Sequence, residues 1–141
     1  MNKAFDRVSW SFLFHVLKVY GFLKDFRKLL KLCVRTVSLQ MIINGSSSHR
    51  IFPQCGLRQG DPISPYLFIL CMEILSLMII KAESQKAIEG INLSRNSPTI
   101  SHLFYADDSL LCFRLSSSSC EYLRNILDSF SAISGQMINY Q

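Results

Sequence analysis

Asp107 and Asp108 stand side by side in LFYADDSLLCF, an otherwise apolar run from Leu103 to Phe113. Adjacent carboxylates repel each other, and burying them is costly unless something positive pairs with them. Hard cations such as Mg2+ prefer oxygen ligands, keep several waters, and are commonly held by one or two carboxylates plus substrate phosphates. Two such ions about 4 Å apart stabilise the attacking and leaving oxygens of a phosphoryl displacement. On a straight strand the two side chains would point to opposite faces. In a tight hairpin turn both can approach the same space. The alternative is an exposed Asp-Asp held in a turn by solvent and backbone N–H groups. The dipeptide alone leaves both readings open. The apolar strands on either side favour a site, because they set the turn at the edge of a buried sheet.

The elements that must position this turn are legible in outline. Strand patterns at Thr99–Tyr105 and Ser109–Phe113 bracket the aspartates. Upstream, Ser9 is a helix cap for a segment running to about Tyr20, which Gly21 ends. A second helix is expected from Lys24 to Arg35. It should bury Phe26, Leu30, Cys33 and Val37 and carry a basic stripe of Lys24, Arg27, Lys28, Lys31 and Arg35. That stripe either grips phosphates or is a solvated face. Asn44-Gly45 marks a hairpin with a serine-rich tip. The segment GLRQGDPISP, Gly56 to Pro65, is a loop. A long helix starts near Ser64, with Pro65 at its first position, and runs to about Gln85. Behind the serines at 116–119, a last helix repeats apolar residues at Tyr122, Ile126, Leu127, Phe130 and Ile133, and Gly135 is its C′ stop. Helices and strands are mixed, without repeat or linker, so a single α+β domain is expected.

The totals agree with one domain. The chain has 141 residues, 49% hydrophobic, enough to bury a core. Fifteen Lys+Arg against ten Asp+Glu give +5, which permits a polyanionic partner. Five cysteines without a C-x-x-C pair argue against a disulfide framework or a zinc site, and all five are read as core filler in a reducing compartment. The charged start MNKAFDRVSW is no signal peptide. The run Tyr66–Ile80 is shorter than the roughly 20 residues that span a bilayer, and Glu73 sits in its middle, so it is expected to be a buried helix without a membrane role.

At this point four ordered stretches carry a resemblance. Tyr105-Ala106-Asp107-Asp108 between apolar strands resembles the signature hairpin of reverse transcriptases. RQGDPISPYLF, Arg58 to Phe68, resembles the loop and following helix of their palm. NKAFDRVSW, Asn2 to Trp10, is similar to the segment after the first catalytic aspartate, and SGQMIN, Ser134 to Asn139, to the palm motif after the last helix. The wording is closest to non-LTR (LINE-type) retrotransposon polymerases, especially those of plants.

The resemblance implies a truncated polymerase palm over residues 1–141, a small antiparallel sheet with a YADD hairpin packed on helices, and no fingers or thumb. It implies an RNA-directed DNA polymerase that uses two Mg2+ ions, an RNA template, a DNA primer and a dNTP, and it implies nuclear action. Asp107 and Asp108 would be catalytic and metal-binding, Asp107 the more direct ligand. Tyr105 would lie near the primer end, and Arg58, Gln59 and Gly60 would line the nucleotide pocket and template. Gln59 offers donors and an acceptor, and Gly60 lets backbone approach a ligand. Phe5, by itself an ordinary core phenylalanine, would become the steric gate against a sugar 2′-hydroxyl. Lys3 and Arg7 could meet phosphate. Asp6, Ser64, Pro65, Gly135 and Asn139 would serve the structure of the motifs. In the family pattern a third carboxylate falls just before the position of Met1, so this chain alone is expected to be inactive. The rival readings are a non-catalytic retroelement remnant and a residual nucleic-acid-binding module.

Overall fold

A computed structural model describes residues 3–95, 97–105 and 108–138. The expectations for Asp107 and Asn139 therefore fall outside the described residues. The elements run α1 (Ala4–Arg7), α2 (Trp10–Val19), α3 (Lys24–Arg35), β1 (Ile42–Ile43), β2 (Ser46–Ser47), α4 (Ser64–Ser84), β3 (Ile91–Asn92), β4 (Thr99–Ile100), β5 (His102–Tyr105), β6 (Asp108–Leu111) and α5 (Ser117–Ser134). Helices and small antiparallel ladders are mixed, as the α+β reading expects. The strands form three separate two-stranded ladders, β1–β2, β3–β4 and β5–β6, in place of the one sheet expected.

Capping chemistry sets several helix ends. The Ser9 hydroxyl accepts from the Phe12 N–H at the start of α2, and the Ser116 hydroxyl accepts from the Ser119 N–H at the start of α5. α4 starts at Ser64, with Pro65 in its first turn, where a missing N–H costs nothing. Asn44 and Gly45 both have positive φ, as a two-residue hairpin turn between β1 and β2 demands.

The core lies where α4 packs against α2 and α5. Leu13, Leu17, Leu75, Ile79 and Phe130 are fully buried there. Each such side chain stabilises the fold by about 1.5–3 kcal/mol relative to an exposed one. Phe12 and Phe130 meet edge to face, with ring centroids 5.9 Å apart.

Several expectations are corrected by this packing. In α3 only Leu30 of the expected apolar face is buried, and Val34 packs beside it, while Phe26 and Cys33 are exposed. The helix touches the rest only along one narrow edge, so periodicity overstates its buried face. In α5, Leu123 and Ser134 take the places expected for Tyr122 and Ile133, which are exposed. Of the cysteines only Cys71 is buried, where desolvation pushes its thiol up to about 12. Cys33, Cys55 and Cys120 are exposed, so they are not core filler. α4 extends over 21 residues and is long and apolar enough to cross a membrane by length and composition, which removes the length argument against a span. In its most apolar stretch 39% is buried, against α2 and α5. The helix α1 and the strand β3 have no counterpart in the sequence patterns. Both are too short to show a period.

Gly135 closes α5 with φ +78, and a Cβ there would lie 2.5 Å from the Arg7 carbonyl oxygen. Both facts require glycine. Gly135→Ala should therefore destabilise the chain by more than about 1 kcal/mol, measured as a lower urea midpoint. An unchanged midpoint would show that the α5 end and Arg7 do not approach this closely.

Candidate nucleotide-transfer site

The segment Ala4–Ser9 carries Phe5, Asp6 and Arg7, and four residues hold it. From one side the Leu57 N–H donates to the Phe5 carbonyl (2.7 Å) and the Gly56 N–H to the Val8 carbonyl (2.8 Å). From the other side the Ser9 N–H donates to the Ser134 carbonyl (2.8 Å), and the Gln136 side-chain amide donates to the Ala4 carbonyl (2.8 Å). Trp10 adds its indole N–H to the Gly56 carbonyl at 2.7 Å. Gly56 has φ +87, and a Cβ on it would stand 2.6 Å from the Asp6 carbonyl oxygen, so the loop can pass this segment only as glycine.

The expected site residues divide between two clefts. Asp6, Arg58, Gln59 and Ser64 line one of about 620 Å3. In it the Gln59 amide donates to the Asp6 carboxylate (3.3 Å), which fixes the Arg58-Gln59-Gly60 loop to the segment beside Phe5. Gly60 has φ +82, with open space around it. Ser64 is buried at the helix start, its N–H donating to the Asp61 carbonyl at 3.2 Å. Phe5, Pro65 and Tyr105 line a second cleft of about 660 Å3 between α4 and β5. There the Phe5 ring stacks on Phe68, centroids 4.7 Å apart. Tyr105 is 83% exposed.

Strands β5 and β6 pair in antiparallel register, with His102 opposite Leu111 and Tyr105 opposite Asp108. Asp108 is thus exposed at the end of the ladder. The inner side of β5 is fixed to α4 by His102. Its Nε2 lies 2.7 Å from the Ser76 hydroxyl and its Nδ1 lies 3.1 Å from the Ser101 hydroxyl. Its ring packs at 4.8 Å on Phe104. Among the described residues no group of three or more His, Cys, Asp or Glu could hold a metal ion. Asp108 is the one described carboxylate of the expected pair.

Gln136 lies inside the SGQMIN stretch but is not among the residues expected to serve the site. It is 2% exposed and ties the turn after α5 to α1 across 132 residues. No local pattern announces such a contact, although a glutamine beside a glycine stop is a small hint. Gly135, one residue earlier, abuts Arg7.

The family model described as reverse transcriptase (RNA-dependent DNA polymerase) matches residues 1–141, and the chain belongs to that family. An uncharacterized mitochondrial protein of Arabidopsis thaliana is 54% identical over 71 residues, 50% of this chain and 58% of that protein. The retrovirus-related Pol polyprotein from the type-2 retrotransposable element R2DM of Drosophila melanogaster is 35% identical over 75 residues, 53% of this chain and 7% of that protein. The corresponding polyprotein from the type-1 element R2 of Popillia japonica is 24% identical over 111 residues, 79% of this chain and 17% of that protein. The chain thus spans only part of each of these relatives. The likeness to non-LTR retrotransposon polymerases read from the four motifs is borne out.

Burial lowers the His102 pKa below its ordinary 6.5, against the smaller opposing pull of Glu83 and Glu73. As pH falls, the unfolded chain takes up this proton first. The stability His102 contributes is therefore present above about pH 6.5 and is lost progressively below it. The urea midpoint of wild type should fall between about pH 7.5 and about pH 5.5. His102→Gln should show a shallower fall over the same window. Parallel curves would mean that His102 is not held neutral between Ser76 and Ser101.

Proposed function

We propose that residues 1–141 are part of the palm of an RNA-directed DNA polymerase of the LINE type, and that Asp107 and Asp108 belong to its catalytic carboxylate set. The observation that carries this reading is the β5–β6 register, which sets Tyr105 opposite Asp108 at the exposed end of a hairpin anchored on the core helix α4. Such an end leaves the carboxylate oxygens open to solvent and ligand. In the full-length enzyme two Mg2+ ions would be held by these carboxylates and would supply charge stabilisation to the reacting oxygens.

The chain's own residues have narrower tasks. Phe5 is the sugar gate. Its ring is fixed by Phe68 and its backbone by Leu57, so it resists displacement by a 2′-hydroxyl. Gln59, tethered to Asp6, keeps the Arg58–Gly60 loop beside that gate, where backbone and guanidinium can meet the nucleotide and template. Tyr105, exposed at the end of β5, would lie near the primer end. The new bond joins the primer 3′ oxygen to the nucleotide phosphate, and pyrophosphate leaves. The second readings are a non-catalytic remnant and a module that keeps affinity for nucleic acid through its net charge of +5.

In a polymerase containing this segment, Asp107→Asn and Asp108→Asn should each lower Mg2+-dependent primer extension by about 100-fold or more, as misplacement in a two-metal centre does. Phe5→Ala should leave dNTP extension measurable and raise ribonucleotide incorporation. Wild-type extension by both aspartate variants would overturn their catalytic assignment, and no extension by the unmutated protein would support the remnant reading.

A further inference from the structure

The basic stripe of α3 has no task in the candidate site. Lys24, Lys28, Lys31 and Arg35 recur at helical spacing along one side of that helix. Phe26, Leu29 and Cys33 recur along another side, and Leu32 stands one turn after Leu29. These four are all exposed, Leu29 at 54% and Leu32 at 60%. The core takes only Leu30 and Val34 from the helix. An amphipathic helix normally buries its apolar side. Here the part that the core does not take faces solvent, and Lys28, four residues before Leu32, borders it. At the start of the helix the apolar surface continues into a cleft of about 290 Å3, lined by Tyr20, Gly21, Phe22, Leu23 and Phe26. No charged side chain lines that cleft, and the Phe22 ring stacks on Phe26 with centroids 5.8 Å apart.

The charge on α3 is lopsided, with five basic side chains against one acid. Two of the five are engaged. Arg27 Nε donates to the Phe22 carbonyl at 2.9 Å, and the Arg35 guanidinium lies 5.8 Å from the Trp10 centroid and 5.5 Å from that of Phe14. The Arg35 stack fastens the helix to α2. Lys28 reaches Asp25 at 3.3 Å, an exposed pair that contributes little. Lys24 and Lys31 form no ion pair among the described residues. The other acid near this end is Glu73, which, after desolvation, helps to raise the pKa of Tyr20.

These features select the occupant. A polyanion alone would use the lysines and leave the leucines in water. A second copy would bring two strongly basic helices together. A partner groove that engulfs a helix would have to pull α3 off Leu30, Val34 and the Arg35 stack. The surface of an anionic bilayer offers negative headgroups beside an acyl boundary, and it takes a half-buried helix as it stands. At 1.5 Å a residue, the 12 residues of α3 are about 18 Å long, too short to cross a hydrocarbon core of about 30 Å, so the helix would lie along the surface.

We propose that the exposed side of α3 docks on an anionic phospholipid surface, with Phe26, Leu29 and Leu32 entering the acyl boundary and Lys24 and Lys31 meeting the headgroups. The inference does not rest on the polymerase reading, since it uses none of Phe5, Asp107 or Asp108.

The test uses the 141-residue chain with unilamellar phosphatidylcholine vesicles, with and without about 30% phosphatidylserine, in chelator at about 0.1 M salt. The chain should float with the phosphatidylserine vesicles and stay behind with the neutral ones. A polarity-sensitive fluorophore on Cys33, in a Cys55→Ser/Cys120→Ser background, should shift to shorter wavelength over the same titration. Lys24→Gln/Lys31→Gln and Leu29→Gln/Leu32→Gln should each weaken binding by about tenfold or more. All four positions are exposed, so both double variants should keep the wild-type circular dichroism. Failure of the unmutated chain to float with phosphatidylserine vesicles would overturn the proposal, and that result needs no variant to fold. Equal flotation with neutral vesicles would overturn it too. So would wild-type affinity in Leu29→Gln/Leu32→Gln, which is the outcome for a purely electrostatic contact. A dimer lost in that leucine variant, without flotation, would assign the face to a second copy.

Discussion

The structure depends on a few hydrogen bonds that hold Ala4–Ser9 between two distant pieces of chain. Leu57 and Gly56 donate from one side, and Gln136 and the Ser134 carbonyl meet it from the other. A buried peptide group without a partner costs about 1–3 kcal/mol. The segment is too short for a helix to satisfy its own peptide groups. Its conformation is therefore set from outside, by whatever donors the neighbouring loops supply. The side chains on it inherit that constraint: the ring of Phe5 is turned to Phe68, Asp6 to Gln59, and Arg7 to the turn after α5.

This explains why clefts lined by Phe5, Asp6 and Arg7 converge on one short stretch. The loop at 55–59 cannot approach without Gly56, and the turn at 134–136 cannot approach without Gly135. Close approach is what makes each wall of the clefts. The helices α2, α4 and α5 contribute mass and rigidity. The two glycines and Gln136 decide where the functional side chains stand.

Much of the frame was legible in the sequence, because its signals are local. Ser9, Gly21, Ser116 and Gly135 mark helix ends through their own capping or turn chemistry, Pro65 marks the first turn of α4, and the observed bounds of α2, α4 and α5 lie close to those marks. What was not legible is tertiary. Periodicity along α3 predicted a buried face of Phe26, Leu30, Cys33 and Val37, yet burial is decided by what α2 covers, and that is little beyond Leu30 and Val34. The strand pattern at 99–105 is broken at Ser101, whose neighbours pair with different partners, β3 on one side and β6 on the other. The candidate site shows the same division. The motif residues could be named from their order in the chain, while Gln136 and the Arg35 stack on Trp10 depend on contacts that no sequence window contains.

The bond from Gln136 to Ala4 also sets a timetable. A ribosome makes residue 4 long before residue 136, so the Ala4 carbonyl waits for its Gln136 partner across a separation of 132 residues. Contacts between such remote positions slow folding, because the loop between them must be closed before the contact repays it. In that interval the side of α4 that α5 covers, the Ala4 carbonyl and the Ser9 N–H are all uncovered, a period in which a chaperone has something to hold.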